Sequence, residues 1–599
     1  MKEYVVAMET LRIDDFLFST NKMKVKRGGS YLLDYLNKVE VPEILFKNEV
    51  NEKDIIDIGA GKVKFFIGEE EEAKKIIKEI ENSYAMMGAK IVGKYLKKEN
   101  KKIWDIIEEL NRQLLKEEDR GFSVLNTDLP FIEKCELSKI EPADIHYLNL
   151  EEDLKKIIDE NSKTEENNFN FKIKNGKLIY KTKKIEKELE INIETLRREI
   201  KILTEATEEN EKGKISEVTL WKIVYANFLK KDIEFIEKDK KNRKEKIVSF
   251  YQYLKKYEKI YNNISKTKIN IDVETNIDDF DNKNDFIGLM YSDGDSFGEF
   301  FNGIKNKFNN LKIDDSEEKY IEFLKEFSHL LDKVIKSSLA RTLIKIFKNV
   351  EENKRWGQFL IAAGDDVCAI FDSTLVLEIS INFQKEFQKR MKRGIYRLIK
   401  DLGKIDDINL TSSSGVVIAK KKTPMFQLFK QAIKLQKSAK EKRYSLNPKD
   451  KNTGFIDFQV IGSEGRADII SFRESISNLI ERPYAIEIKE NNNGIRNIVD
   501  LFDVVKEMKR IDFPTTKLRY IYELKKKLEL EDFEKKMDFV NVLSKMDKRH
   551  IEFIKKIMMD RDYEKFNESF NNIFDIIEIY NFVDEKIMDN KKDGVTNGN

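Results

Sequence analysis

The chain reads as an α+β fold of two ferredoxin-like units joined to helical domains. Three observations predict it. Residues 285–462 run strand, helix, hairpin, helix, strand, helix, so that they begin with the β-α-β-β-α-β order of a ferredoxin-like sheet. Residues 1–100 repeat strand, helix, hairpin, helix in the same order, which points to a duplication. The remainder is charged, helical in periodicity and, over 490–590, short of Gly and Pro.

In the first unit a strand over Tyr4–Ile13 leads to a loop, Ser19-Thr20-Asn21-Lys22, and then to a basic turn over Lys24–Gly29. Ser30 is placed to cap a helix running to Asn37. A hairpin spans Ile55–Ile67, and a helix begins in the acidic run Glu69–Glu72, where carboxylates suit the positive end of the helix dipole. Residues 121–150 read as a short insertion, and 150–284 as charged and helical with a hairpin at Asn175-Gly176. Val218, Leu220, Trp221, Ile223, Val224 and Phe228 form a core stripe there. In the second unit a strand over Phe286–Tyr291 ends in the turn Ser292–Gly298. A helix over 318–347, the hairpin at 357–371, a helix over 374–400, a strand over Leu410–Ala419 and a helix over Pro424–Lys442 follow. The expected domains are 1–120, 121–284, 285–489 and 490–590, with a disordered tail over 591–599.

Bulk properties exclude several classes. A chain of 599 residues holds roughly three to five domains. Its 111 basic and 109 acidic side chains leave a net charge of +2, so nucleic-acid binding would need local segregation of Lys and Arg. Two cysteines, Cys135 and Cys368, make no disulfide framework and fit a cytoplasmic location. No signal peptide opens the sequence, and no apolar run approaches the ~20 residues that cross a bilayer. Of the three histidines, His146, His329 and His550, none precedes Asp or has a second His at ligand spacing. That argues against a His-based hydrolase or nuclease.

Five Asp-Asp pairs occur, and four of them (at 14, 278, 314 and 406) sit in polar surroundings that suit solvated loops or caps. Asp365-Asp366 alone follows a Gly between two apolar, β-rich runs. Adjacent carboxylates at the tip of a buried hairpin repel each other in a low dielectric, and a divalent cation would remove that cost. Gly364 permits a tight turn or close approach of a nucleotide; the plainer alternative is an ordinary acidic hairpin. In a ferredoxin-like sheet the first strand neighbours this hairpin, so Asp293 and Asp295 converge on Asp365 and Asp366. Against that stands a simple turn-capping role for Asp293. Three or four carboxylates would bind two Mg2+ (or Mn2+) ions roughly 3.5–4 Å apart, activating a 3′-hydroxyl and stabilising leaving pyrophosphate.

Asp293-Gly294-Asp295-Ser296-Phe297-Gly298, Ala363-Gly364-Asp365-Asp366, Ser413-Ser414-Gly415-Val416-Val417-Ile418-Ala419 and Arg482-Pro483-Tyr484 together resemble the large polymerase-like subunit of type III CRISPR effector complexes, the Cmr (III-B) branch above all. Phe16–Asn21 and Arg27–Leu33 resemble that family's first palm. The resemblance implies two palm (nucleotidyl-cyclase-like) domains, the second catalytic and activated when target RNA pairs with a CRISPR RNA in the complex. It implies ATP as substrate and a 3′–5′ cyclic oligoadenylate as product. Asp365, Asp366 and Asp293 then match the catalytic and metal-binding residues, with Asp295 as a further metal ligand. Gly294, Ser296, Phe297, Gly298 and Gly364 line the nucleotide, and Lys437 and Lys440 are candidates for triphosphate contacts, or else solvated helix residues.

The chain departs from the family pattern in three places. Ala363 replaces a Gly, which activity tolerates if residue 363 is not at positive φ. Cys135-Glu136-Leu137-Ser138 retains one Cys of a zinc-binding pair, so no zinc is expected. No His-Asp dipeptide is present, so DNA cleavage by this chain is not expected. The first-unit hairpin, Gly59-Ala60-Gly61-Lys62, has no carboxylate at its tip and reads as non-catalytic, packing against the second palm and walling its nucleotide pocket. Expected partners are other subunits of such a complex, its RNAs through them, and a small helical subunit on 490–590. Alternatives are conjugation of ATP to S-adenosylmethionine at the same site and a catalytically silent scaffold. A free-standing diguanylate-cyclase-like enzyme is disfavoured, because its Gly-Gly-Asp/Glu-Glu-Phe loop is absent.

Overall fold

The computed structural model describes residues 3–99, 101–119, 132–162, 170–181, 188–207, 210, 212–238, 247–266, 268–273, 285–310, 316–400, 409–446, 451–462, 473, 476–488, 496–527, 541, 544–558 and 572–584. The expected tail over 591–599 lies outside these residues, as do the acidic pairs at 278, 314 and 406.

The first unit comprises β1 (Tyr4–Leu11), α1 (Ile13–Phe18), α2 (Met23–Tyr35), β2 (Ile55–Gly59), β3 (Lys62–Ile67), α3 (Glu70–Met86) and β4 (Lys90–Lys97), with strand order β2-β3-β1-β4. Three expectations fail here. The strand stops at Leu11 and a helix with Asp14 and Asp15 in its first turn follows. Lys24–Gly29 is no turn, and Ser30 caps nothing, because both lie inside α2. The cause is a close crossing with α4 (Glu217–Lys238): a Cβ on Gly28 would fall 1.7 Å from the Lys222 carbonyl oxygen. Gly28 therefore lets two helix backbones touch. Leu220, Trp221, Ile223, Val224 and Phe228 of α4 are buried in the core, where their spacing placed them. The 150–284 stretch also contains a three-stranded sheet, Phe171–Lys174, Lys177–Tyr180 and Leu189–Asn192, whose first turn has Asn175 and Gly176 at φ 51° and 67°.

The second unit contains β5 (Phe286–Asp295), α5 (Ser316–Phe347), β6 (Gln358–Ala363), β7 (Asp366–Asp372), α6 (Val376–Ile399), β8 (Thr411–Lys420), α7 (Met425–Tyr444), β9 (Phe455–Ile461) and β10 (Tyr484–Ala485). Its sheet runs β6-β7-β5-β8-β9-β10, so its first four strands repeat the order of the first unit. That shared order is the structural signature of the inferred duplication. α5 and α6 pack together and α6 lies on one face of the sheet, where Gly288 admits Val376. α7 takes the other face, the one shared by Tyr291, Asp293 and Asp295 through the two-residue period of a strand. Gly415 makes this possible: a Cβ there would lie 2.0 Å from the Ala432 carbonyl oxygen.

The two units meet through equivalent elements. α2 packs on β6 of the second unit, and α5 packs on β2 of the first. Reciprocal contact of this kind is that of a two-fold dimer. The hairpin tips touch as well, since a Cβ on Gly364 would lie 2.9 Å from the Ala60 Cβ.

Beyond β10 the described helices are α8 (Ile498–Arg510), α9 (Thr515–Lys527), α10 (Lys548–Met558) and α11 (Ile573–Ile579). Arg482-Pro483-Tyr484 locks α11 to the sheet. Asp575 accepts from Arg482 Nε at 2.7 Å and Tyr484 Oη at 2.6 Å, and Glu578 accepts from the Val460 N–H at 3.1 Å. No helix among the described residues is long and apolar enough to cross a membrane.

Candidate active site

β5 is the central strand, hydrogen-bonded to β7 on one side and β8 on the other, so its C-terminal end lies beside the Gly364–Asp366 hairpin. Gly364 has φ 64°, a value that favours glycine, whereas Ala363 lies outside the left-handed region and its methyl is tolerated. The turn expected over Ser292–Gly298 reduces to one residue. β5 continues to Asp295, Ser296 pivots at φ 64°, and a helix starts at Phe297. Gly294 is consequently a strand residue with a packing role: a Cβ there would lie 2.3 Å from Phe297 Cε2 and 2.9 Å from Asp365 Cβ.

Three carboxylates gather here. Burial first, then the charge of Asp293, pushes the Asp365 carboxyl above the usual range. Burial, Asp293 and Asp365 do the same to Asp366. Lys440 and Lys62 oppose this at Asp365, and Lys62 belongs to the first-unit hairpin. Asp293 accepts from Lys440 Nζ at 2.6 Å and from Gln436 Nε2 at 3.2 Å. Burial pulls the Lys440 ammonium down, but Asp293 outweighs it and the net direction is up. Asp366 accepts from Tyr291 Oη at 2.9 Å.

Asp295, the fourth carboxylate of the expected set, is placed differently from these three. It is fully buried, and its Oδ2 accepts from Thr411 Oγ1 at 2.8 Å and Ser413 Oγ at 2.9 Å, with Arg443 Nε 3.7 Å away. Arg443 also donates to Ser296 Oγ at 3.0 Å, and the Ser296 N–H donates to Tyr444 Oη at 3.3 Å. Asp295 and Ser296 thus fasten α7 to the strand end. Gly298 faces open space, Phe297 packs edge-on to Phe327, and Lys437 is exposed.

Gln436, Arg443, Tyr444 and Tyr291 are site residues that the sequence reading missed. Gln436, Lys440 and Arg443 stand at i, i+4 and i+7, one helix stripe, and that spacing was the available signal. Lys437 falls off the stripe. Cys135 and Ser138 make an ordinary turn, in which Ser138 Oγ accepts the Glu141 N–H at 3.3 Å and Cys135 Sγ lies 3.5 Å from Thr219 Oγ1.

No group of three or more His, Cys, Asp or Glu among the described residues is arranged as a metal cage. The donor chemistry at the hairpin nonetheless fits a divalent cation. Asp293, Asp365 and Asp366 supply hard oxygens, and their mutual repulsion is the cost such a cation relieves.

No curated protein matches the chain in sequence. Among solved structures it is similar to a Csm1–Csm4 cassette in complex with one ATP, at 12% identity and TM-score 0.49, covering 97% of this chain and 70% of that one. A Csm1–Csm4 cassette with pppApApA gives 10% identity, TM-score 0.49, and coverage of 97% and 69%. Csm1 of T. onnurineus gives 12% identity, TM-score 0.43, and coverage of 97% and 70%. The family model of the Cas10/Cmr2 second palm domain matches residues 286–451, the stretch that carries Asp293, Asp365, Asp366 and Lys440.

Proposed function

We propose that this chain is the nucleotidyltransferase subunit of a type III CRISPR effector complex, of the Cmr branch, activated by target RNA in the cytoplasm and joining ATP into a 3′–5′ linked cyclic oligoadenylate. The observation that carries this reading is the gathering of Asp293, Asp365 and Asp366 at one strand end of a Cas10/Cmr2 second palm domain. In this reading the three carboxylates hold Mg2+ or Mn2+, while Asp295 serves the fold. The bound cations supply charge neutralisation at the attacking and leaving oxygens. Lys440 neutralises Asp293 in the absence of ligand and turns to the triphosphate when cations take over that role. Gly294 packs against Phe297 and Asp365, Gly364 packs against Ala60 at the hairpin tip, and Gly298 faces open space beside them, where the nucleotide would enter. The first palm has no carboxylate at its hairpin tip, Gly59–Lys62, and contributes Lys62 and packing. Domains of 1–120, 121–284, 285–489 and 490–590 belong to the proposal, the last as the docking place of a small helical subunit.

The test is to incubate the assembled complex with target RNA, Mg2+ or Mn2+ and radiolabelled ATP, with and without S-adenosylmethionine. RNA-dependent 3′–5′ oligoadenylate from ATP alone is the expected product. An adduct formed only with S-adenosylmethionine would replace the product assignment, and failure to consume ATP under either condition would overturn the reading.

A further inference from the structure

We infer that Tyr291 is a positioning residue for Asp366, and that the first palm holds it in place through Phe18. The inference rests on the reading of Asp366 as a metal-binding carboxylate. Tyr291 stands two residues before Asp293 on the same face of β5, and its hydroxyl donates to Asp366 Oδ1 at 2.9 Å. Its ring meets Phe429 edge-on, at 5.6 Å between centroids and 89° between planes. Phe429 in turn stacks on Phe18 at 4.2 Å and 24°. Phe18 closes α1 of the first palm, and both phenylalanines are buried, so this contact is a buried part of the seam between the two palms. Aromatic pairs in these geometries fix ring orientation beyond what area burial does.

The placement of Phe429 gives the stack its reach. Phe429 lies on α7 seven residues before Gln436, on the stripe that carries Lys440 to Asp293. One helix therefore carries the ring that steadies Tyr291 and the ammonium that meets Asp293, and Phe18 presses on that helix from the first palm. Opposite Tyr291 in the β5–β8 register is Gly415, which puts no side chain beside the ring and lets α7 sit close. Lys26 of α2 completes the seam, its ammonium 5.5 Å from the Phe18 ring centroid. A first palm with no carboxylate at its hairpin tip would thus govern the geometry of the second.

The hydroxyl acts on one carboxylate, so its loss lowers turnover more than substrate binding. Tyr291→Phe keeps the ring and the stack. The expected result is a kcat lower by about tenfold with KM for ATP within about twofold. Mn2+ alone, titrated into the full chain without nucleotide and followed by electron paramagnetic resonance, is expected to bind several-fold more weakly. Phe18→Leu, which keeps the seam filled, is expected to give a smaller loss of the same kind. Combining it with Tyr291→Phe should add little, because both act on one contact. The Mn2+ titration stands whether or not the product is an oligoadenylate, so failure of the functional reading and failure of this inference are distinguishable. Wild-type Mn2+ affinity in Tyr291→Phe would overturn the positioning role, and fully additive losses in the double variant would overturn the role assigned to Phe18.

Discussion

Lys440 and Asp293 form an ion pair of 2.6 Å that ties the last helix of the second palm to the end of its central strand. The ammonium occupies a carboxylate that cations and nucleotide would otherwise contest. Lys440→Met removes a charge that competes with metal and, on the proposed reading, a charge that grips phosphate. Mn2+ binding without nucleotide is expected to tighten by about tenfold, since one unit charge at this range is worth at least that much even at an effective dielectric near 20. ATP turnover is expected to fall in the same variant. A calorimetric titration alongside a turnover assay checks both directions at once.

Asp295→Ala tests the reading that Asp295 serves the fold and not the cations. Asp295 and Arg443 are both buried, and removing the acid leaves the guanidinium without its counter-charge. Breaking a buried pair in this way costs about 3–5 kcal/mol. Thermal unfolding is expected to show that loss, while Mn2+ affinity measured below the transition stays within about twofold of wild type.

Two glycines predict opposite phenotypes. Gly294→Ala sets a methyl against Asp365 Cβ and the Phe297 ring, at the edge of the site. Turnover is expected to drop by about 100-fold with little change in melting temperature, because on the proposed reading the displaced group is a metal-binding carboxylate. Gly28→Ala drives a methyl into the Lys222 carbonyl and forces α2 and α4 away from each other. It is expected to destabilise by about 3 kcal/mol or more, read by denaturant unfolding.

Lys26 gives the chain a pH-dependent stability. Its ammonium is buried, no hydrogen-bond acceptor among the described residues meets it, and burial, against a small opposing effect of Cys368, brings it down to about 7. In the unfolded chain it titrates near 10.4. Between about pH 7 and pH 10 the unfolded state therefore binds the extra proton, and stability rises with pH across that window. Lys26→Met is expected to raise the melting temperature most at pH 7 and below, and progressively less towards pH 10. A gain that stays flat over that range would contradict the assignment.

Much of this site was legible because it is local. Gly364-Asp365-Asp366 announces its turn and its charge in consecutive residues, and the apolar run Phe286–Tyr291 announces the strand, although that strand runs on through Asp293 to Asp295. What escaped was long-range. Gly28 reads as a turn until Lys222, far along the sequence, takes the space where its side chain would be. Asp293 and Asp295 are equivalent by strand period, and only the stripe of α7 decides that one meets Lys440 and the other is sealed under Arg443. Tyr291 looks like any strand aromatic, because its hydroxyl acquires a partner only when the hairpin folds back beside it.

On the proposed reading, the second palm is a nucleotidyl-transfer centre built on Asp365 and Asp366. The direct measurement is turnover of radiolabelled ATP by the target-RNA-bound complex, comparing wild type with Asp365→Ala/Asp366→Ala at matched assembly and melting temperature. RNA-dependent 3′–5′ product is expected from wild type, with a loss of at least about 1,000-fold in the variant. A variant that makes product at the wild-type rate would contradict it.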